Sequence, residues 1–397
     1  LEKVHLFGGD EKGESAVGID IGSAFIKVVQ LKNKGGKAIL ETYGEIALGP
    51  YAGGEVGQAT NLPAEKIAEA LADLFREAGV TTRNAALSIS LKSSLLSLIA
   101  IPTADGKKLN EIVPIEARKY IPVPINEVTL DWWVIPKRET YAEADDVSPE
   151  DSSNVSLSHK GAPHGETEVM IVAIHNEAIE KYRRIAEIMQ FEKVFFELEV
   201  FSATRSTLGR AMQTVLLADI GATTTKLAVI EFGVTRFTHT ISRGSQDITV
   251  ALSKAQSISF GMAEDMKRTS GVLGGLEKTD SERGVGDVLT SKQQETTVSH
   301  IANLTLESIF SETNTMLMQY QQKHNVSIDL IILTGGGALL KGLISVAKQY
   351  IDAEVVLGDP FGKVEAPAFL LPMLAEAGPE FAVAVGLALR KMQEAEG

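Results

Sequence analysis

Two stretches of the sequence place aspartate, glycine and lysine at the same spacing. Residues 18–27 read GIDIGSAFIK and residues 218–226 read ADIGATTTK, and the two aspartates, Asp20 and Asp219, are 199 residues apart in a chain of 397. Glycine lets a strand turn sharply and lets a ligand approach the backbone, and the small polar residues that follow can donate hydrogen bonds to phosphate oxygens. An aspartate at a strand end is suited to hold a hydrated metal ion. The repeat therefore predicts two related lobes whose hairpin tips face each other across a cleft and clamp a nucleoside triphosphate.

A third glycine-rich stretch has a different arrangement. Residues 333–338 read LTGGGA and lie between an apolar run and a predicted helix. Such a turn brings bare backbone amides to a ligand near the positive end of a helix, although alone it is also typical of a close strand–helix crossing. In the same way, a lone Asp-x-Gly hairpin is often an ordinary tight turn. The three elements together favour a nucleotide site.

One charged pair has two interpretations in the sequence. Glu264 and Lys267 are three residues apart in a predicted helix, so they share one helix face. A solvated ion pair is the simplest interpretation of this spacing. The alternative is that both side chains line the base and ribose of the nucleotide, and the sequence leaves the two interpretations open. The chain contains neither the P-loop motif nor the Gly-x-Ser-x-Gly nucleophile elbow.

The composition excludes several kinds of site. The net charge is −14, which disfavours a broad nucleic-acid-binding face, and the absence of cysteine excludes disulfides and thiolate metal sites. The seven histidines are scattered, so we do not expect a histidine-built metal site. We find no long apolar run and no signal-peptide pattern, and the last residues read as a helix that ends in polar residues. The expected location is the cytoplasm, with no direct membrane anchor.

The order of predicted elements indicates an α/β protein of two lobes, each extended by a smaller subdomain. The acidic residues 139–168 and the polar residues 271–295 are predicted to be loops. We assign residues 1–15 to a flexible N-terminal segment, 16–83 to the first part of the first lobe, 84–197 to an inserted subdomain, 198–380 to the second lobe, and 381–397 to a C-terminal helix that returns to the first lobe.

These features resemble the superfamily of actin, heat-shock chaperones and sugar kinases, and within it the PilM family. The resemblance extends over roughly residues 15–392 and rests on the two Asp-Ile-Gly tips, the triple-glycine turn and the interrupting subdomain. Shorter phrases also carry it, such as EARKYIP at 116–122, DPF at 359–361 and GLALR at 386–390. FtsA is similar, but the missing C-terminal membrane helix favours PilM. The resemblance implies a two-lobed actin-like ATPase fold with an FtsA/PilM-type (SHS2-like) inserted subdomain, and ATP and Mg²⁺ as cofactors.

The resemblance also implies a function. It is that of an ATP-binding scaffold of type IV pilus assembly, which lies at the inner face of the cell membrane and binds the N-terminal cytoplasmic tail of a PilN-like membrane protein. Other expected partners are the pilus assembly machinery at the membrane and further copies of the chain, and nucleic acid is not expected. An FtsA-like cell-division filament protein is the alternative. A metabolite kinase is less favoured, because the sequence shows no clear motif for a carboxylate base.

The motifs and the resemblance together give a set of candidate site residues. Asp20 and Asp219 would hold the metal ion through water, the two tips would meet the phosphates, and the glycine-rich turn would hold the adenosine together with Glu264 and Lys267. The full nucleotide-binding set is Asp20, Gly22, Ser23, Ala24, Lys27, Asp219, Gly221, Ala222, Thr223, Thr224, Lys226, Gly244, Glu264, Lys267, Gly335, Gly336, Gly337 and Ala338.

Hydrolysis of ATP is expected to be slow at most. The superfamily's water-positioning side chain has no clear equivalent in this sequence, and electrostatic clamping alone does not orient an attacking water. Glu199 is the nearest candidate for a catalytic residue. Its favoured interpretation is nevertheless a carboxylate at the surface or at a helix end.

The two tryptophans of the chain, Trp132 and Trp133, lie next to each other in a predicted strand of the inserted subdomain. Because adjacent strand residues face opposite sides, one of them should point away from the core of the subdomain. It would either pack under a loop or line a groove between the subdomain and the first lobe. The resemblance to PilM favours the groove, in which an extended PilN-like tail would lie.

Overall fold

Three β-sheets form the framework of the fold. The computed structural model describes residues 14–102, 106–135, 166–209, 213–272 and 285–394. Within these ranges there are two sheets of five strands and one of three strands. Each of the two larger sheets has a strand that carries one of the Asp-Ile-Gly stretches.

The first sheet combines an antiparallel meander with two parallel strands. Its strands are β1 (Ser15–Ile21), β2 (Phe25–Lys34), β3 (Lys37–Ala47), β4 (Asn84–Ile89) and β8 (Lys193–Leu198). β1, β2 and β3 are antiparallel neighbours, β4 pairs with β1 in parallel, and β8 pairs with β4 in parallel. The spatial order is therefore β3-β2-β1-β4-β8.

The second sheet repeats this topology. Its strands are β9 (Thr214–Ile220), β10 (Thr225–Glu231), β11 (Val234–Ile241), β12 (Leu330–Thr334) and β13 (Glu354–Leu357). The spatial order is β11-β10-β9-β12-β13, again with three antiparallel strands followed by two parallel ones. The two copies of the sequence motif thus occupy equivalent positions, the first hairpin of each sheet.

The third sheet is separate and smaller. It consists of β5 (Ser94–Ile101), β6 (Val128–Val134) and β7 (Thr167–His175), and all pairs are antiparallel in the order β5-β7-β6. Helix α2 (Gly106–Ala117) covers one face, where Ile101, Val113 and Ile171 are buried together. Because β4 and β8 pair within the first sheet, this unit occupies only the middle of the predicted 84–197 insertion. The predicted division into domains otherwise stays a prediction.

Helices cover both larger sheets. Besides α2 they are α1 (Ala64–Ala78), α3 (Asn176–Ile188), α4 (Glu199–Thr207), α5 (Ser245–Gln256), α6 (Phe260–Ser270), α7 (Val285–His324), α8 (Leu343–Tyr350), α9 (Leu371–Ala377) and α10 (Ala382–Glu394). In α1 the buried Ile67, Leu71 and Leu74 share one face, and Gly79, with a φ of 68°, ends the helix. α1 and α3 pack together on one side of the first sheet, and α5, α6, α7 and α8 belong to the second.

Helices α4 and α10 connect the two larger sheets. Val200 and Ala203 of α4 share a buried cluster with Ala86 of the first sheet and Val215 of the second. α10 packs on β1 and β2 and lies against α4, where Gly386 passes the backbone of the neighbouring helix. The two lobes are therefore joined by a shared apolar layer beneath the cleft.

One described segment, Ala368–Gln393, is long and apolar enough to cross a membrane when judged by length and composition alone. The sequence did not suggest such a segment. Its second half is α10, in which Val385 and Leu387 are fully buried against the first sheet and α4. Apolar side chains of this helix are thus buried in the core of the fold.

The structure corrects one predicted loop. Residues 285–295, predicted as part of a loop over 271–295, belong to the 40-residue helix α7. Leu306, Ile309 and Phe310 anchor this helix in the core of the second lobe. A helix that is nucleated there can extend through polar residues, because each added residue fixes little further entropy for one more hydrogen bond. Residues 273–284, residues 1–13 and most of the predicted loop 139–168 lie outside the described residues.

Candidate functional site

The strand register explains the spacing of aspartate and lysine in both motifs. Asp20 of β1 lies opposite Lys27 of β2, and Asp219 of β9 lies opposite Lys226 of β10. Residues that face each other in an antiparallel pair have neighbouring side chains. Each motif therefore places a carboxylate next to an ammonium group at the same end of its sheet.

The tips of the two hairpins meet. Gly22 N donates to Phe25 O at 3.0 Å in the first tip, and Gly221 N donates to Thr224 O at 2.9 Å in the second. Thr223 Oγ1 donates to Ser23 Oγ at 3.3 Å, which joins one tip to the other. The two tips therefore face each other across a cleft, which is the arrangement that the repeat predicted.

The triple-glycine stretch lies directly beside the second hairpin, because β12 pairs with β9 and places Thr334 next to Asp219. A Cβ atom at Gly335 would lie 2.2 Å from Asp219 Oδ1, and the φ of Gly335 is 83°. Only glycine fits this position, since both the space and the backbone angle exclude a side chain. The stretch then forms a short 3₁₀ turn, Gly336–Leu339, and α8 begins four residues later than the predicted helix start at 339.

Together the three elements surround one cavity of about 310 Å³, a size typical of small-molecule sites. Most of the predicted set lines this cavity, and Glu199 lines it too. The predicted residues that line it are Asp20, Gly22, Ser23, Ala24, Lys27, Asp219, Gly221, Ala222, Thr224, Lys226, Glu264, Lys267, Gly335, Gly336 and Gly337.

Three predicted residues support this lining from behind. Thr223 contacts the opposite tip, and Ala338 is buried in the core of the second lobe. Gly244 precedes α5, and a Cβ atom there would lie 2.4 Å from Ala222 O. This close approach lets Ser245 N and Gln246 N donate to the carbonyl oxygens of the second tip, each at 2.9 Å. The start of α5 therefore holds the second tip in place.

Lys226 is held between two carboxylates at the floor of the cavity. Its Nζ lies 2.9 Å from Glu199 Oε2 and 3.1 Å from Asp219 Oδ2. Burial opposes the charged form of this lysine, but the two carboxylates outweigh burial and raise the pKa of Lys226 above its usual range. The side chain is thus a permanently charged ammonium group that faces the cavity.

Glu199 is buried, so the favoured interpretation as a surface carboxylate is wrong. It is the first residue of α4, as the helix-end interpretation required, but it is only 7% exposed. Its Oε1 accepts hydrogen bonds from Leu91 N at 2.7 Å and Ser90 Oγ at 3.1 Å. The sequence could not show this, because the partners belong to the segment after β4, which is more than 100 residues away.

Asp20 has a different environment from Asp219. Its Oδ1 accepts a hydrogen bond from Ser88 Oγ at 2.8 Å. Burial raises the pKa of Asp20 to about 6, and the positive charge of Lys27 offsets only part of that effect. The aspartate of the first hairpin therefore carries an unfavourable charge in the ligand-free protein at neutral pH.

Asparagine at Asp20 should accordingly stabilise the ligand-free protein at neutral pH. The folded protein holds this proton up to about pH 6, whereas the unfolded chain releases it near pH 3.8, so the free energy of unfolding falls across this interval. The raised pKa corresponds to about 3 kcal/mol, and we expect a measured gain of about 1–2 kcal/mol because the cavity is open to solvent. Thermal unfolding at pH 8 should show the gain, which should shrink as the pH approaches 4. Equal stability of the Asp20→Asn variant and the unmodified protein at pH 8 would contradict the raised pKa of Asp20.

Glu264 and Lys267 form a buried ion pair, so the solvated interpretation is wrong. Each residue is 6% exposed, and Lys267 Nζ lies 2.6 Å from Glu264 Oε2. Thr249 Oγ1 donates to the same carboxylate oxygen at 2.6 Å, and Arg268 Nε donates to Oε1 at 2.9 Å. Burial acts against the charged carboxylate, but Lys267 overrides it and lowers the pKa of Glu264. The network fixes α6 to α5 on the second-lobe side of the cavity.

A loop of the first lobe crosses the cleft next to this network. Glu55 accepts hydrogen bonds from Phe260 N at 3.1 Å and Gly261 N at 2.9 Å, the first amides of α6. A carboxylate is favourable there because the N-terminus of a helix carries partial positive charge. Ala59 N donates to Gln246 Oε1 at 2.5 Å, which adds a second link between the lobes. The loop thereby closes one side of the cavity, to which Gly57 contributes.

Sequence reasoning missed several charged and aromatic lining residues. The guanidinium group of Arg268 lies 5.4 Å from the ring centre of Phe25, and both line the cavity. Glu380 lies 3.9 Å from Lys27 Nζ, and burial raises its pKa. Arg268 directly follows Lys267, so its place on α6 could have suggested it. Glu380 comes from a turn before α10 and carries no local signal.

The donor set suits a hydrated magnesium ion with a bound phosphate. Among the described residues, no group of three or more histidines, aspartates or glutamates is arranged to hold a metal ion directly. Mg²⁺ commonly keeps several waters and binds one or two carboxylates together with substrate phosphates. Asp20 and Asp219 supply two carboxylates, and Thr334 Oγ1 is buried beside the cavity with no partner in the structure. These groups fit the predicted ligand.

A second, larger cavity of about 700 Å³ lies between the third sheet, β8 and α4. Trp133 faces this groove and packs edge-to-face on Phe201 of α4, with ring centres 5.5 Å apart. Trp132 faces the other way, towards the core under α2. The two tryptophans therefore lie on opposite faces of β6, as the strand alternation predicted. Met170, Phe195, Glu197, Arg205, Val234 and Arg390 also line the groove.

Two family models match different parts of the chain. The model described as type IV pilus assembly protein PilM matches residues 18–149, and the model described as cell division protein FtsA matches residues 216–386. The first match contains the tip of the β1–β2 hairpin and Trp133. The second contains the tip of the β9–β10 hairpin and the triple-glycine turn.

Solved structures match over nearly the whole chain. A chain of a PilM–PilN type IV pilus biogenesis complex superposes with a TM-score of 0.73 at 23% identity, covering 95% of this chain and 98% of that one. The chain has the actin-like ATPase fold. The ethanolamine utilization protein EutJ from Carboxydothermus hydrogenoformans has a TM-score of 0.50 at 13% identity, covering 95% of this actin-like chain and 89% of its own.

Sequence relatives of this actin-like chain carry the FtsA name. Cell division protein FtsA of Neisseria meningitidis serogroup B is 25% identical over 323 residues, which are 78% of this chain and 76% of the relative. FtsA of Agrobacterium fabrum is 28% identical over 177 residues, which are 43% of this chain and 38% of the relative. The resemblance to PilM and its relative FtsA, inferred from the motifs, is confirmed by these matches.

Proposed function

We propose that this actin-like chain is a scaffold of type IV pilus assembly that binds Mg-ATP in the cleft and the tail of a PilN-like membrane protein in the groove. The match to a chain of a PilM–PilN complex over 95% of this chain carries the proposal. The match of the PilM family model to residues 18–149 supports it from the sequence. In this function the protein works at the inner face of the cell membrane, where its partner would hold it.

The cleft supplies each kind of group that a nucleoside triphosphate needs. Lys27 and Lys226 offer positive charge from opposite hairpins, and the hydroxyl groups and amides of the tips offer donors to phosphate oxygens. Asp20 and Asp219 would hold the waters of a magnesium ion, which when bound neutralises phosphate charge. The pair Glu264 and Lys267 would hold the ribose, and the glycine-rich turn would admit the base.

Hydrolysis remains expected to be slow. Glu199 is the nearest candidate for orienting an attacking water, and in the ligand-free protein its Oε1 accepts from Leu91 N and Ser90 Oγ while its Oε2 accepts from Lys226. The two bonds to Oε1 fix the carboxylate to the segment after β4, which leaves it little freedom to orient a water. We therefore expect the scaffold function to depend on nucleotide binding more than on ATP hydrolysis. Rapid phosphorylation of any metabolite in a kinase screen would argue instead for the kinase alternative.

The groove suits an extended apolar peptide. Its walls include Trp133, Phe195 and Phe201, while Arg205 and Glu197 provide a charged pair at the same site. β8 is an edge strand of the first sheet and also lines the groove. An extended tail could place alternate side chains between the third sheet and α4, as peptides in such sites commonly do.

Alanine at Trp133 should weaken binding of the tail by roughly 10- to 100-fold, because truncating a central aromatic residue of an interface costs about 2 kcal/mol or more. A synthetic peptide of the N-terminal cytoplasmic segment of PilN from the same organism is the probe, titrated by calorimetry. Ile115→Ala is the matched control, since Ile115 is 60% exposed on α2 of the same unit and outside the groove. Equal affinities of the Trp133 variant and the unmodified protein would exclude the groove as the peptide site.

An FtsA-like filament protein remains the second candidate, because the FtsA family model matches residues 216–386. The two functions differ in what they bind. Sedimentation with Mg-ATP should leave a pilus scaffold in the supernatant and should pellet a filament-forming protein. Pelleting that requires ATP, together with no binding of the PilN peptide, would support the FtsA alternative.

A further inference from the structure

One short helix reaches both sites. Glu199, the first residue of α4, lines the cleft cavity, while Phe201, Thr204 and Arg205 of the same helix line the groove. Nine residues of α-helix span about 13 Å. The two proposed ligands would therefore lie at opposite sides of one rigid element.

The cleft end of this helix is held by an ion pair that a nucleotide would compete for. Lys226 Nζ lies 2.9 Å from Glu199 Oε2, and the side chains are 16% and 8% exposed. Lys226 also lines the cavity, so the phosphate oxygens of a bound triphosphate would attract the same ammonium group. Lys226 already divides its charge between Glu199 and Asp219, so a phosphate that draws the ammonium group into the cavity would weaken its bond to Glu199. Glu199 would then keep its bonds to the segment after β4 but lose its bond to the second lobe.

The groove end of the helix is packed against the third sheet. Phe201 meets Trp133 of the third sheet with ring centres 5.5 Å apart. Arg205 Nη2 lies 2.5 Å from Glu197 Oε1, and its Nη1 donates to Gly386 O at 3.0 Å. A change in the position of α4 would therefore change the distance between α4 and the third sheet, which sets the width of the groove.

We infer that α4 couples the two sites, so that nucleotide in the cleft changes the affinity of the groove for the tail by exchanging the Glu199–Lys226 ion pair for a phosphate–Lys226 ion pair. This inference rests on the proposed function and adds its regulation. Coupling between sites is reciprocal, so the tail must change the affinity for nucleotide by the same factor. The usual size of such coupling is roughly 5- to 150-fold.

The two tryptophans allow a direct test without the peptide. The chain contains two tryptophans, so Trp132→Phe leaves Trp133 in the groove as the reporter, and Trp133→Phe leaves Trp132 in the core under α2. Addition of Mg-ATP should change the emission of the Trp133 reporter and leave that of the Trp132 reporter unchanged. Glu199→Gln in the Trp133 reporter removes the ion pair but keeps an oxygen for Leu91 N. This variant should show the nucleotide-loaded emission before ATP is added, and it should bind Mg-ATP more tightly than its parent, because Lys226 is already released from Glu199 and keeps Asp219 as its carboxylate partner.

Calorimetry of the same proteins separates the coupling from the function on which it rests. If Mg-ATP binds and the Trp133 reporter does not respond, the coupling is wrong and the ATP site stands. If Mg-ATP does not bind the unmodified protein, the proposed function and the coupling both fail. A response of equal size from the Trp132 reporter would also overturn the inference, because it would mean a general change of the subdomain. Coincident thermal unfolding curves of both reporters before ATP is added establish that the substitutions preserve the fold.

Discussion

Alanine at Asp219 should weaken the binding of Mg-ATP by roughly 10- to 100-fold, and alanine at Asp20 should do the same, because groups that hold the waters of a metal ion commonly contribute that much to metal affinity. Each aspartate lies at the end of a hairpin strand and lines the 310 Å³ cavity. Loss of Asp219 also frees Lys226 from one of its two carboxylates, which are 3.1 and 2.9 Å away. The affinity for Mg-ATP should therefore fall further than the affinity for ATP in EDTA.

Calorimetric titration of the folded variants with Mg-ATP provides the measurement. Asp265→Ala is the matched control, since Asp265 lies on α6 close to the cavity but is exposed and outside its lining. The control should bind like the unmodified protein. Unchanged affinity in both hairpin variants would remove the cleft from consideration as the nucleotide site.

Alanine at Gly386 should destabilise the whole protein by about 3 kcal/mol or more, at or above the upper end of the usual cost of overpacking. A Cβ atom there would lie 1.8 Å from Ser202 O, so two helix backbones, α10 and α4, would have to separate. Both helices belong to the layer that joins the sheets, and a backbone atom cannot move aside as a flexible side chain can. The expected result is a large fall in the melting temperature or insoluble protein.

Gly209→Ala is the control for this loss. Gly209 has an ordinary negative or extended φ, and a Cβ atom there would meet nothing within 4 Å. Its replacement should leave stability unchanged or raise it slightly, because alanine restricts the unfolded chain more than glycine does. Similar melting temperatures for the two variants would contradict the close crossing of α4 and α10.

The arrangement of the cleft was predictable from the sequence because it depends on local, repeated signals. Asp20 and Asp219 each precede a lysine at the same spacing. In a tight hairpin that spacing alone places each aspartate opposite its lysine on the neighbouring strand. The triple-glycine turn alone left a close strand–helix crossing open, and only its combination with the two hairpins favoured a site; the structure shows that Gly335 is required by its backbone angle and by the nearby Asp219. Strand alternation likewise predicted the opposite orientations of Trp132 and Trp133.

What the sequence did not reveal depends on contacts between distant segments. Spacing on a helix cannot distinguish a solvated pair from the buried Glu264 and Lys267, because their burial depends on Thr249 of α5 and on the loop that contains Gly57. Glu199 was taken for a surface or helix-end carboxylate, and its burial could not be predicted because its partners Ser90 and Leu91 lie beyond β4. The polar first part of α7 shows no helical pattern in the sequence. It is helical because it extends a helix whose apolar residues are buried further along the chain.

The packing of α10 determines the order in which the lobes can form during synthesis on the ribosome. The core of the second lobe is built from residues between Leu216 and Val355. One face of the first sheet, with Val29 and Leu31, is instead covered by Val385 and Met392 of α10. The second lobe can therefore bury its core before α10 is synthesised. At that stage the first sheet still has an uncovered apolar face. Nascent chains that stop before residue 382 would expose that face to chaperones, although domains usually complete themselves from the N-terminus onwards.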